Sequence, residues 1–332
     1  MTDVTRADVV IVGGGLLGLA TAYALRDTRD VIVLERETIG HSRGGSHGAT
    51  RIFRLGYADP RSVERAQRAA GHWHALEAAS GATLLHPTPQ LTFGPGAEGV
   101  WTALRAAGAP VERLAAADVA ARFPAFAGHG DAMLEPASAV IDAARTLRVL
   151  RDGARADVRE HVRVESVAEH CVETATERFE TRAVVVCAGP WTRALVPGVD
   201  TTPTLEHVAY LAADPALPIF IDFTEPAVYG LPTPGSDRYK LAIHHGGAVV
   251  DAERDFIPDP AAVAALRDAA GRWLPAAPIV EIDVCPYDNT RDEEFVIARV
   301  DGIVVGAGTS GHAFKFGPLL GAELARLVQE NR

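Results

Sequence analysis

Cysteine is scarce: the 332 residues hold three, Cys171, Cys187 and Cys285. An odd number at wide spacing excludes a disulfide framework and suits a reducing compartment, so the expected location is the cytoplasm. Any run of about 18 apolar residues is also missing, which excludes a helical membrane span. Residues 1–7 are polar and lead directly into an apolar run, without the basic start and apolar stretch of a secretory leader. Positive charge is not in excess, because the net charge is −11. A general nucleic-acid binder carries a basic surface, so that class is set aside, although an acidic protein can still hold a cationic pocket. There is no internal repeat and no low-complexity linker. The histidines at 41, 47, 244 and 245 lack spacings such as HExxH or paired CxxC, and no metal site is expected.

What is present is a hydrophobic content of 48%, enough for one or two domains with a core. Residues 8–12 form a β-branched apolar run that reads as a buried parallel strand. Residues 16–26 read as a helix and 31–34 as a second buried strand. Helices are expected at 60–80, 114–122, 143–155 and 261–273, and strands at 158–167, 171–176, 183–187, 280–287, 295–298 and 303–305. Between 204 and 243, short strands separated by Pro, Gly and Asp indicate an antiparallel sheet. The chain thus begins and ends in βαβ texture and is antiparallel in the middle. The predicted class is α/β: a Rossmann-like domain from 1–80, 137–200 and 290–332, and an α+β substrate domain from 81–136 and 201–289.

The first strand runs into Gly13-x-Gly15-x-x-Gly18. Gly13 permits the tight turn, Gly15 lets a pyrophosphate approach the backbone, and Gly18 allows close helix–sheet packing. The phosphates would sit at the helix N-terminus, where free N–H groups and the dipole favour anions. Glu35 ends the second strand, where a carboxylate takes a ribose hydroxyl. Alone the glycine pattern is weak; strand, helix and acid in place make it a dinucleotide site. It does not separate FAD from NAD.

Three further segments decide between them. They are Gly45-Ser46-His47-Gly48-Ala49-Thr50-Arg51-Ile52-Phe53-Arg54, then Cys285-Pro286-Tyr287, then Gly311-His312-Ala313-Phe314-Lys315-Phe316. The last follows an apolar strand and is expected to open a helix running to about residue 328. Together, and in order over nearly the whole chain, these segments resemble the monomeric sarcosine oxidase and N-methyltryptophan oxidase family of D-amino-acid-oxidase-like flavoproteins. The resemblance implies FAD as cofactor, with Arg36, Ser46, Thr50, Val164 and Gly311 beside it and Cys285 joined to it by a thioether. It also implies Arg51 next to the flavin ring, Arg54 and Lys315 on the substrate carboxylate, and Tyr229 and Tyr287 along the substrate cavity. Lys315 then serves flavin and substrate alike. Lys240 matches the lysine that activates oxygen, and His47 and His244 match active-site histidines.

The residue types suit these roles. Arginine's planar fork holds a carboxylate bidentately. On an extended strand, residues three apart point oppositely, which would aim Arg51 at flavin and Arg54 at substrate; residues four apart, such as Lys240 and His244, would share a face. N–H groups of the glycine-rich turn at 308–311 would stabilise negative charge on the flavin's pyrimidine edge. Read individually, Cys285 is a small core residue, Tyr229 a core tyrosine and Lys240 an edge-strand lysine. Cys187 and Cys171 are expected to be structural, and the wall near Phe220 is expected to bear on specificity.

The activity implied is oxidation of a secondary amino acid, N-methylated or cyclic, to an imine by a monomer, with oxygen reduced to hydrogen peroxide. A biosynthetic oxidase of a cyclic imino acid or specialised amine, and a dehydrogenase passing electrons to a partner, stay open as alternatives.

Overall fold

The computed structural model describes residues 3–330; positions 1–2 and 331–332 of the expected nucleotide domain lie outside it. Its architecture is mixed α/β, built on three sheets. The strand Asp3–Val12 lies between Glu177–Val186 and Val31–Leu34, parallel to both, and Ile303–Ala307 adds a further parallel strand beside Glu177–Val186. These strands are covered on both faces, so apolar residues run continuously through them: Val10, Ile11, Val33, Val185 and Val304 are all fully buried. At about 1.5–3 kcal/mol for each fully buried large aliphatic side chain, this is the dominant stabilising term of the sheet. The helix Leu16–Leu25 packs on it together with the C-terminal helix Gly317–Gln329.

The second sheet has nine strands and is centred on Thr202–Ala212, which pairs antiparallel with Arg238–Ile243 and with Ile279–Asn289. Arg238–Ile243 and Ile279–Asn289 carry Lys240 and Cys285, so one central strand sets the distance between these two residues. A small third sheet joins Thr50–Phe53 to Ala139–Asp142 and Leu85–Pro87, and holds the arginine loop against the rest.

Several expectations change. The strand expected at 158–167 is two strands, Asp157–Arg159 and Val164–Ala168. Between them the chain turns through His161 at φ 63°, while Val162 N–H bonds back to the Glu35 carbonyl. The helix expected from 114 begins at Ala116, because Leu114 ends the strand Glu112–Leu114. The signature at 311–316 is a turn followed by a short 3₁₀ segment, Ala313–Phe316; the α-helix starts only at Gly317, with Pro318 in its first turn, where a missing N–H costs nothing. Phe220 does not line the cavity described below: it is fully buried, stacked on Trp273 at 4.3 Å and on Tyr239 at 6.4 Å. The helix Ala97–Ala106 and the strands Gln90–Phe93 and Ala132–Glu135 were not expected from the sequence.

Candidate active site

At the carboxyl end of the parallel sheet, Gly13 has φ 106°, and a Cβ on Gly18 would stand 1.9 Å from the Gly13 carbonyl oxygen. The two glycines let the helix Leu16–Leu25 start directly on the strand end. No side chain caps this helix at Gly15, and the Leu16 N–H donates to the Ser46 hydroxyl at 3.0 Å. Glu35 accepts from the N–H groups of Gly14 at 2.7 Å and Glu37 at 2.9 Å. Burial opposes its charge, but His41 and these two N–H groups outweigh burial and hold its carboxyl below the usual value.

A cavity of about 610 Å³ starts here. It runs from Glu35 and Arg36 past Gly13, Gly15, Ser46 and Val164 to Arg51, Lys240, Cys285, Tyr229, Tyr287 and Gly311. The volume lies within the roughly 300–1,000 Å³ of ligand sites. Arg36 stacks on Trp191 at 4.5 Å and pairs with Glu253 at 3.0 Å, closing the Glu35 end. Gly311, at φ 70°, lies against the Tyr287 ring, which a Cβ would meet at 2.0 Å.

At the far end charges concentrate. Arg51 donates to the carbonyls of Thr50, Gly45 and His47 and lies over the Phe314 ring at 5.3 Å. Lys240 is 5% exposed; burial first, then Arg51, bring its ammonium down to about 7. His47 does not line the cavity. Its Nδ1 bonds Gly44 O at 2.9 Å and its Nε2 bonds Asp283 at 3.1 Å. Burial disfavours its charge, but Asp283 and the neighbouring Cys285 thiol reverse this and hold it at about 9, so it is an imidazolium at neutral pH. Cys285 is unpaired and 8% exposed; burial raises its thiol, and His47 and Arg51 more than offset that. Asp283 is a site residue that the sequence reading missed. It stands two residues before Cys285 in one strand, and strand alternation alone puts it on the same face.

Arg54, Lys315 and His244 form a second cluster. Lys315 Nζ donates to the Tyr57 hydroxyl at 2.8 Å and to the His312 carbonyl at 3.1 Å. The Arg54 guanidinium lies 4.6 Å over the Tyr57 ring. His244 packs edge-on to Tyr229 at 6.4 Å and Tyr287 at 6.0 Å, and burial followed by the charges nearby depress it to about 3, so it is neutral. The two clusters meet at Tyr229 and Tyr287. Arg51 and Arg54 thus have separate neighbours, Arg54 lying just past the end of the strand Thr50–Phe53. Lys240 and His244 also have separate neighbours, since residues four apart on a strand lie roughly 13 Å from each other even on one face.

A model of FAD-dependent oxidoreductases, the DAO family, matches residues 8–327. The chain belongs to this family. Among the relatives of this oxidoreductase is a peroxisomal sarcosine oxidase of Mus musculus, 30% identical over 96% of this chain and 91% of that one. Another is a monomeric sarcosine oxidase of Bacillus sp. (strain B-0618), 28% identical over 98% and 92%. The solved structure of NikD in its open form, described as an unusual amino acid oxidase essential for nikkomycin biosynthesis, superposes with a TM-score of 0.87 at 25% identity over 98% of this chain and 95% of NikD. The two-part architecture, a Rossmann-like FAD domain and a substrate domain, is that of these flavoenzymes.

The residues present fit FAD. The cavity offers a glycine-rich helix start, with Gly13 and Gly15 on its wall, for a pyrophosphate and the buried Glu35 for a ribose. The Thr50 hydroxyl, 1% exposed and without a hydrogen-bond partner among the described residues, does not line this cavity.

Proposed function

We propose that this oxidoreductase converts a secondary α-amino acid, N-methylated or cyclic, to its imine. The amine gives up two electrons and two protons, and oxygen takes both to become hydrogen peroxide. Bound FAD supplies the two-electron acceptor. The observation that carries the reading is the pair Arg54 and Lys315: neither makes an ion pair with an acid within 4.0 Å among the described residues, and although they do not themselves line the cavity, their neighbour His244 packs on its wall residues Tyr229 and Tyr287. A buried lysine and a half-buried arginine without an acid partner are a receptor for a carboxylate.

In this reading Arg54 and Lys315 hold the carboxylate, and Tyr229, Tyr287 and neutral His244 wall the amine. His47, fixed by Asp283, keeps positive charge beside Cys285. Arg36, Ser46, Thr50 and Val164 hold the cofactor with the glycines and Glu35. The discontinuous division into 1–80, 137–200 and 290–332 against 81–136 and 201–289 belongs to the proposal, as do a monomeric state and a cytoplasmic location. Relatives named for sarcosine and for N-methyl-L-tryptophan support the N-methylated class. The similarity to NikD, named for a biosynthetic role, favours a specialised amino acid as the second reading.

The test is oxygen uptake with sarcosine, L-proline and L-pipecolate, against glycine as the primary-amine control. One peroxide per oxygen with a secondary amine supports the reading; oxidation of glycine alone contradicts it.

Cys285 is proposed as the flavin anchor, its Sγ bonding to the 8α-methyl carbon; this linkage releases two electrons and two protons, finally taken by oxygen. Acid precipitation of the wild-type protein is expected to leave the yellow colour in the pellet, and Cys285→Ser to release it to the supernatant. Colour released from both proteins rules out the thioether.

A further inference from the structure

Glu135 ends the strand Ala132–Glu135 and is fully buried, yet no cation lies within ion-pair distance of it among the described residues. A carboxylate in such a place is costly unless its oxygens are satisfied. Oε1 accepts from the Ser138 hydroxyl at 2.5 Å and from the Leu55 N–H at 3.2 Å. Oε2 has no partner of hydrogen-bond geometry among the described residues but faces the Gly56 backbone, where a Cβ would stand 2.8 Å from it and whose N–H still favours its charge. Both oxygens therefore address residues 55–56, the two residues between Arg54 and Tyr57. Tyr57 in turn carries the Arg54 guanidinium over its ring and takes the Lys315 hydrogen bond.

We propose that Glu135 is a positioning residue for the carboxylate-binding pair: it pins the 54–57 segment and, in its ionised form, adds negative charge that acts on Arg54 and Lys315 from beyond ion-pair distance. This rests on the reading of that pair given above. The other charged groups nearby do not fill the role. Glu323 is bound to Arg65 and Arg68, and Glu293 to His245. Burial and neighbouring charge depress His312 and His244 to about 3, leaving both neutral. Burial and then Arg54 lower Lys315 well below its ordinary value, and Glu135 is the group that opposes them. Tyr57 feels Arg54, Arg65 and Glu135 and stays protonated, held up at about 12 by burial. Glu135 itself is raised by burial, against Ser138, Arg54 and the N–H groups of Leu55 and Gly56.

The signs follow. Lys315 binds an anion only as an ammonium, so carboxylate affinity is lost as pH rises through its pKa. Removing the opposing charge lowers that pKa and moves the loss to lower pH. The experiment uses full-length, flavin-loaded protein as wild type, Glu135→Gln and Glu135→Ala. Amide exchange at Leu55 reports the pinning, and acetate titrated against the flavin absorbance at several pH values reports the charge. Glutamine keeps an acceptor for the Leu55 N–H, so exchange is expected to stay near wild type while acetate affinity is lost about one pH unit lower. Alanine is expected to speed Leu55 exchange about tenfold and weaken acetate by a similar factor. An unchanged pH profile in Glu135→Gln overturns the charge role, a result available even if the alanine variant does not fold. Unchanged Leu55 exchange in Glu135→Ala, or exchange as fast in Glu135→Gln as in a variant with no acceptor, overturns the pinning. If acetate leaves the wild-type spectrum unperturbed, the anion-binding reading of Arg54 and Lys315 fails and the charge role fails with it, and Leu55 exchange still decides the pinning.

Discussion

Replacing Lys240 by methionine is expected to slow reoxidation of the reduced enzyme by oxygen about 10²–10³-fold and to leave reduction by substrate within a few-fold. Oxygen gains negative charge as it takes its first electron, and a fixed ammonium in a buried site stabilises that charge far better than water does. Lys240 lines the cavity with Cys285 and Arg51, and Arg51, Cys285 and Asp283 are the charged groups that act on it. Methionine keeps an unbranched side chain one heavy atom shorter and removes the ammonium. Because burial and Arg51 bring Lys240 down to about 7, the ammonium is present below that pH and lost above it. Wild-type oxygen reactivity should therefore fall as pH rises through neutrality, and the methionine variant should show no such fall. Stopped-flow measurement of the two half-reactions checks both points; equal slowing of reduction and reoxidation removes Lys240 from oxygen chemistry.

Arg54→Met is expected to lower kcat/KM for amino-acid substrates by about 10²–10³-fold, from losing one side of a desolvated, charge-assisted pair, and to lower it far less for the matching amine without a carboxylate. The side chain has no acid partner among the described residues, and its only contact of note is the Tyr57 ring. Losses confined to KM mean that Arg54 binds ground state and transition state alike; an added loss in kcat means that it also sets the angle of the reacting C–H. Equal losses for the acid and the decarboxylated amine would place the carboxylate elsewhere.

The sequence was most legible where a backbone requirement leaves few residue choices. Gly13 and Gly18 could be read because the turn and the helix–strand contact exclude any Cβ. The helices Pro60–Ser80 and Pro260–Trp273, found close to their expected bounds, each open on an Asp N-cap with Pro as the first helical residue. The helix Ala97–Ala106 escaped because Gly96 and Gly99 interrupt its start and Gly108 follows it. Among site residues, those inside contiguous motifs were visible in advance. Asp283 and Glu135 were not, because each acts on a partner far away in sequence: His47 lies 236 residues from Asp283, and Leu55 lies 80 residues from Glu135. In each pair a strand residue meets a loop residue, His47 or Leu55, and only the tertiary fold brings the two together.

The most direct test of the account is the visible spectrum of the purified protein mixed anaerobically with sarcosine, L-proline and L-pipecolate in turn. The cofactor carries the redox chemistry, so its own absorbance reports the reaction. The account predicts a yellow protein whose oxidised-flavin band bleaches with at least one secondary amino acid and returns when oxygen is admitted. A yellow protein that glycine bleaches and no secondary amino acid does would contradict it, and so would a protein that neither carries flavin nor takes it up.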